Sequence, residues 1–177
     1  MTRILCILML AIFLPCCALA ESQLVLVSPT PSAQPVPVGV EFSCEAFFVT
    51  LPAGMEILSD AQMEGYTAAV QAAFPDFAPA QLAAVDLERN AALVFSLAPS
   101  ALAPLDAAKE AASAILGSDE SASEFSFGAN LCAGFAFAAA DTAYRVFYFS
   151  DGAQLLAITA CGLTETEIAA MLSSLDF

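Results

Sequence analysis

No histidine occurs among the 177 residues. That removes imidazole general bases, Ser-His-Asp and Cys-His nucleophiles, and histidine-ligated metals. What could still do chemistry is a set of cysteines and carboxylates. Cys44, Cys132 and Cys161 follow no zinc-site spacing. Asp86 and Glu88 alternate along the chain, as two residues on one strand face would, and Asp119, Glu120 and Glu124 crowd a polar stretch. Oxygen-rich loops can hold Ca²⁺, but neither group has the EF-hand spacing. Ordinary solvated carboxylates are therefore expected, and no metal ligand is assigned. Lys109 is followed by Glu110, which suits a solvated helix surface. No Walker, dinucleotide-binding, C-x-x-C or nucleophile-elbow motif is present. Gly128-Ala129-Asn130 reads as a turn rather than a phosphate loop. Arg145 stands out, because it precedes Phe147 and Phe149 on a stretch that should be buried. A buried guanidinium requires a carboxylate or carbonyl partner. The plain reading is a structural ion pair; the functional one is an anchor for an anionic ligand or partner peptide. No catalytic residue and no cofactor is assigned.

Charge narrows the partners further. Asp and Glu outnumber Lys and Arg by 19 to 4, a net charge of −15. Such a body repels phosphate backbones, so nucleic acid is excluded as a partner. With 59% hydrophobic residues, the negative charge serves solubility. The acidic residues are scattered, so there is no acidic tail.

The first twenty residues read as a secretory signal peptide. Arg3 supplies the basic start, Ile4 to Leu14 an apolar run too short to span a bilayer, and Ala18-Leu19-Ala20 a cleavage site before Glu21. Cleavage removes Arg3 and leaves Arg89, Lys109 and Arg145 as the only cations. A lipid anchor on Cys16 or Cys17 fits poorly, because Pro15 and Cys16 stand where a small residue is required. The expected address is secreted or extracytoplasmic, with no transmembrane span in the mature chain. Residues 21–37 form a Pro-rich linker containing PTPSAQPVP. A single domain then runs over residues 38–177.

The elements that must position these residues centre on Ala143 to Cys161. This stretch is rich in aromatic and β-branched residues around Asp151-Gly152, a hairpin signature. A two-residue type I′ turn there would set Tyr148 opposite Leu155 and Phe147 opposite Leu156. Both faces would be apolar: Tyr144, Val146, Tyr148, Leu155 and Ala157 on one, Phe147, Phe149, Leu156 and Ile158 on the other. Such a hairpin should be covered on both sides. Upstream, Glu124–Gly128 and Leu131–Ala139 should pair by turning at Ala129-Asn130, and the next turn should be Asp141-Thr142. With these turns, Cys132 and Cys161 lie about nine residues, roughly 30 Å, apart along the sheet. A disulfide needs Cα atoms within about 7 Å. That pair is rejected; Cys44 could bridge to either, or all three are buried thiols, which the odd count favours.

Before the meander come short strands at Val40–Cys44 and Ala46–Leu51, and an extended Met55–Leu58. A helix should start at Ser59, which forms a capping box with Gln62, and carry Met63, Tyr66, Val70 and Phe74 on its apolar stripe. Gln81 to Asn90 alternates Val85 and Leu87 with Asp86 and Glu88, suggesting a strand with one wet face, and Ala91–Leu97 a buried partner. A second helix is expected over Ser100–Leu116, with Leu102, Leu105, Ala108, Ala112 and Ile115 inward and Gly117 as its stop. A third follows Thr164, which makes a capping box with Glu167. Strands joined by short turns are antiparallel, so the class is α+β with helices covering the sheet.

The run YRVFYFSDGAQLLAITACGLTETEIAAMLSSLDF, with the earlier FFVTLPAGMEI, resembles the PsbP-like family. The shared features are L-P-x-G at Leu51, Pro52 and Gly54, a Tyr-Arg strand, a D-G turn, and S-L-x-F at Ser174, Leu175 and Phe177. The resemblance covers Val40 to Phe177. It implies an α/β/α sandwich: an antiparallel sheet flanked by helices on both faces. An extrinsic photosystem II subunit, a Ran-binding nuclear import factor and exported bacterial proteins share that fold. These motifs are structural, and the family has no single activity to transfer. The chain also has no basic surface for a nucleotide-switch partner.

The expected function is that of a secreted bacterial, non-enzymatic binding or accessory module, acting on a protein or small ligand outside the cytoplasm. Two alternatives stand beside it: a hydrolase using carboxylates and a metal, and a structural protein associated with the envelope.

Overall fold

Aromatic and β-branched residues fit a pleated, half-buried surface, and they place the strands of this chain. The computed structural model describes residues 39–73, 78–139 and 141–177. The expected leader and linker, and Phe74 of the first helix stripe, lie outside these residues; so does the side chain of Val70. The described residues form β1 (Val40–Ser43), β2 (Phe48–Leu51), β3 (Glu56–Ile57), α1 (Asp60–Ala73), β4 (Ala80–Asp86), β5 (Ala91–Pro99), α2 (Pro104–Leu116), β6 (Ser123–Phe127), β7 (Asn130–Ala139), β8 (Thr142–Ser150), β9 (Gln154–Cys161) and α3 (Glu165–Ser174). β1 and β2 form a separate hairpin; the other seven strands form one sheet in the order β3-β4-β5-β9-β8-β7-β6. Every pairing is antiparallel. The class is α+β, mostly antiparallel sheet with three helices.

β9 is the middle strand, paired with β5 on one side and β8 on the other. Residues alternate between two faces along a strand, and the core divides accordingly. Leu93, Phe95, Phe147, Phe149, Leu156 and Ile158 pack with Ile168, Met171 and Leu172 of α3 and with Val49 and Leu51 of β2. Val146, Tyr148 and Phe135 pack with the buried alanines of α2. Ala92, Val94 and Tyr144 pack with Met63 and Tyr66 of α1.

The β8–β9 register differs from the expected one by two residues. Tyr148 pairs with Ala157 and Phe149 with Leu156. Gly152 and Ala153 occupy the centre of the turn. Gly152 alone has φ of +91°, the glycine-first pattern of a type II′ turn rather than type I′. The reason is Asp151, whose Oδ1 accepts from the N–H groups of Ala153 and Gln154 at 2.8 and 2.6 Å. The carboxylate belongs before the turn, not inside it. The neighbouring turns also move: Phe127 pairs with Asn130, and Ala139 with Thr142. Gly128 and Asp141 take positive φ, 63° and 62°. Each shift is even, so every side chain keeps its expected face.

Three further expectations are corrected. α2 begins at Pro104, not Ser100, because proline suits a first helical position; the Ser100 hydroxyl instead accepts from the Leu102 N–H at 3.2 Å. Its inward face keeps the expected Ala108 and Ala112, joined by Ala107 and Ala111, and the expected Leu102, Leu105 and Ile115 pack partly buried against them. Asp86 shares the face of the buried Leu82 and Ala84 and is itself buried, while β4 stops there and Leu87, in the turn, is 81% exposed, the reverse of the wet and dry faces expected. Glu88 is in the turn and shares no strand face with Asp86.

The three cysteines among the described residues are free: Cys44 exposed, Cys132 and Cys161 buried. Cys44 therefore departs from the expectation of three buried thiols. Cys161 pairs with Tyr144, while Cys132 lies next to Ala133, which pairs with Tyr148. The two buried thiols are thus five residues apart along β8, roughly 17 Å, closer than expected and still beyond bonding reach. Burial pushes the Cys132 thiol up to about 12 and raises that of Cys161. The thiolate is the reactive form. In the chain lacking residues 1–20, Ellman's reagent should titrate Cys44 quickly and the other two only after denaturation. Fast native labelling of Cys132 or Cys161 would contradict this packing.

Candidate functional site

Arg145 lies on β8 opposite Ala136 and Ala160. Its Nη2 meets Oε1 of the exposed Glu165 at 3.2 Å, and its side chain is 19% exposed. The ion pair ties β8 to the first turn of α3. Asp119 and Glu120 lie exposed in the loop before β6, and Glu124 lies exposed on β6. Among the described residues, no group of three or more acidic or cysteine side chains could hold a metal ion.

A second guanidinium makes the larger junction, and the sequence reading assigned it nothing. Arg89 Nε donates to Asp86 Oδ2 at 2.6 Å, Nη2 to the Ala53 carbonyl at 2.7 Å, and Nη1 to Glu167 Oε1. Asp86 Oδ1 accepts from the N–H groups of Glu88 and Arg89, each at 3.1 Å, closing the β4–β5 turn. Gly54 makes room: its φ is +87°, and a Cβ there would sit 2.8 Å from Asp86 Oδ2. On α3, the Thr164 side chain accepts from the Glu167 N–H while Glu167 reaches back to the Thr164 N–H, the full capping box expected from sequence. The Ser59 box is half made: Gln62 Oε1 accepts from the Ser59 N–H at 2.9 Å and from its hydroxyl at 2.8 Å.

These contacts set the charges. Arg89 beside Asp86 holds that carboxyl below its usual value, helped by the turn N–H groups. For Glu167, burial works upward, but the Thr164 N–H and Arg89 outweigh it and the pKa is lowered. Every donor nitrogen of the guanidinium faces a protein acceptor, which makes the cluster a clamp between three stretches of chain.

The place with room for a ligand lies elsewhere. A cavity of about 330 Å³ opens between α2 and strands β5, β8 and β9. Ala107 and Ala111 of α2 face Ala98 on β5 and Ala157 on β9, with Leu102 and Leu155 completing an apolar wall. Ser96, Ser100 and Tyr148 bring hydroxyls to it, and Glu110 stands exposed at its edge. Among the described residues, every buried side-chain nitrogen and oxygen has a hydrogen-bond partner. The cavity offers mostly apolar contacts and a carboxylate at its edge. Its one sequence signal was the run of alanines in α2. Small residues let a helix approach a sheet closely, and where the facing strand is also small they leave space.

No known protein family matches the chain, and no curated protein matches it. A Bacteroides thetaiotaomicron VPI-5482 protein, whose crystal structure was determined at 1.50 Å, is similar in fold. It is 14% identical with a TM-score of 0.51, over 78% of this chain and 48% of that one. The likeness concerns the fold alone, and this chain spans about half the length of that protein.

The clamp has a pH signature. Both carboxylates are depressed on folding, so their stabilisation is complete above the ordinary values of 3.8 and 4.5. It is lost as pH falls through the lowered folded values. Urea midpoints measured from about pH 5 to about pH 2 should fall in the native protein. Arg89→Met should lower the midpoint near neutrality and flatten that fall, because Asp86 and Glu167 lose the partner that depresses them. An unchanged acid slope in the variant would remove the clamp from this account.

Proposed function

We propose that this chain is an exported, non-enzymatic binding domain with the α/β/α layering of the PsbP-like family. Residues 1–20 act as its cleaved leader and residues 21–37 as a spacer. Support for the layering comes from the core: α3 shares a cluster with one set of alternate strand residues, and α1 and α2 share clusters with the other set. None of the described helices is long and apolar enough to cross a membrane.

The observation that carries the binding role is the apolar cavity beneath α2. Its volume of about 330 Å³ falls at the lower end of small-molecule sites, which run from about 300 to 1,000 Å³. Its lining is mostly apolar, with Glu110 the one carboxylate among the described lining residues, and the sequence holds no histidine, so retention of a ligand fits better than turnover. A small apolar molecule gains by leaving water, and the alanine walls can accept it without rearrangement.

Titration with 1-octanol should shift the NMR signals of Ala107, Ala111 and Ala157 and leave α3 untouched. Ala157→Val, which narrows the cavity, should weaken that binding several-fold. Ca²⁺ and Mg²⁺ should leave the melting temperature unchanged; a large rise with either would favour a carboxylate–metal hydrolase. Expression with the native leader, then fractionation and mass spectrometry, should find a chain starting at Glu21 outside the cytoplasm. A chain retained inside with residues 1–20 intact would overturn the address.

A further inference from the structure

The cavity edge carries one charge, and its sign selects a ligand. Among the described lining residues, Glu110 is the one that is charged at neutral pH. Asp106 lies one helical turn before it and is also exposed, so two carboxylates share that edge of α2. Lys109, the neighbouring cation, is exposed and does not line the cavity. Arg89 and Arg145 are both engaged by carboxylates in ion pairs to α3. The whole chain carries −15, which raises the local concentration of cations and lowers that of anions. The interior, by contrast, is apolar.

We infer that the cavity takes a free single-chain alkylammonium, its chain inside and its ammonium at Glu110. This rests on the reading of the cavity as a ligand site and adds the charge of the ligand. The volume is about twice that of an engineered protein cavity of about 150 Å³ known to hold benzene. A chain longer than one ring therefore fits, while a two-chain lipid does not. Each methylene buried adds about 0.8 kcal/mol, a three- to fourfold gain in affinity. An exposed charge pair adds about 0.2–1 kcal/mol, at most about fivefold. The chain thus sets the affinity and Glu110 sets the choice of head group.

The test is isothermal titration of the exported chain with octylammonium, 1-octanol and octanoate at neutral pH and low salt, with hexylammonium as the shorter homologue. Octylammonium should bind two- to fivefold tighter than octanol, and octanoate weaker than both. Hexylammonium should bind roughly tenfold weaker than octylammonium. Glu110→Gln, a change at an exposed position, should abolish the preference for ammonium over alcohol. Added salt should shrink the same preference in the native protein, a readout that needs no variant. Octanoate binding as tightly as octylammonium, or a preference that survives both Glu110→Gln and salt, overturns the inference while leaving the apolar site standing. Failure of all the probes to bind overturns both the inference and the binding role.

Discussion

Arg89 is one side chain with three acceptors, drawn from the Pro52–Gly54 turn, the β4–β5 turn and the first turn of α3. A planar guanidinium with fixed donors can meet three acceptors only if they stand in the right places together. The contact therefore fixes the position of α3 over the β4–β5 end of the sheet. Arg145 repeats it one strand pair away, through Glu165. Between these two anchors the capping box organises the start of α3, and its Ile168, Met171 and Leu172 reach the core. At the other end of α3, Asn130 donates to the carbonyls of Leu172 and Leu175, at 3.1 and 2.6 Å, and satisfies groups the helix leaves open. The helix is held at both ends by polar contacts and along its length by apolar ones.

The element order was legible because the signals for strands and caps are local. The aromatic and β-branched run from Tyr144 to Phe149 marks a strand wherever it is placed, and Thr164 with Glu167 marks a helix start. Turn positions were less legible. Asp-Gly suits the centre of a type I′ turn, yet here Asp151 stands at the first corner and uses its carboxylate on the two N–H groups that follow. Composition alone does not separate those placements. The shift cost nothing in the assignment of faces, because a slip by two returns each side chain to the same side. The same cannot be said of Asp86 and Leu87, where the strand ended sooner than the alternation implied. Asp86 followed the buried face of Leu82 and Ala84, and Leu87 fell into the turn.

The junctions between distant segments were not legible. Arg89 reads as no more than a remaining cation until Ala53 and Glu167, separated from it by 36 and 78 residues, are brought beside it. Arg145 drew attention through its aromatic neighbours, and its partner Glu165 came from a helix that sequence spacing could not place. Gly54, recognised as part of a four-residue pattern, acquires a physical reason only when Asp86 is seen pressing on it. The cavity is the extreme case. It is made by what several alanines lack, and absence of volume leaves no periodic signal.

That absence bears on the proposed binding role. Protein interiors pack as densely as organic crystals, and atoms lining an unfilled space forgo dispersion contacts they would otherwise make. Ala107 and Ala111 need their small size, since α2 must lie close to the sheet. Ala98 and Ala157 sit on strands, where larger β-branched residues would have both better strand propensity and more contact surface. Filling those two positions is the simplest route to a tighter core. Leaving them small keeps an apolar recess beside a carboxylate. An occupant that supplies the missing contacts would stabilise the fold through binding alone, so the same alanines that weaken the empty domain would strengthen the loaded one.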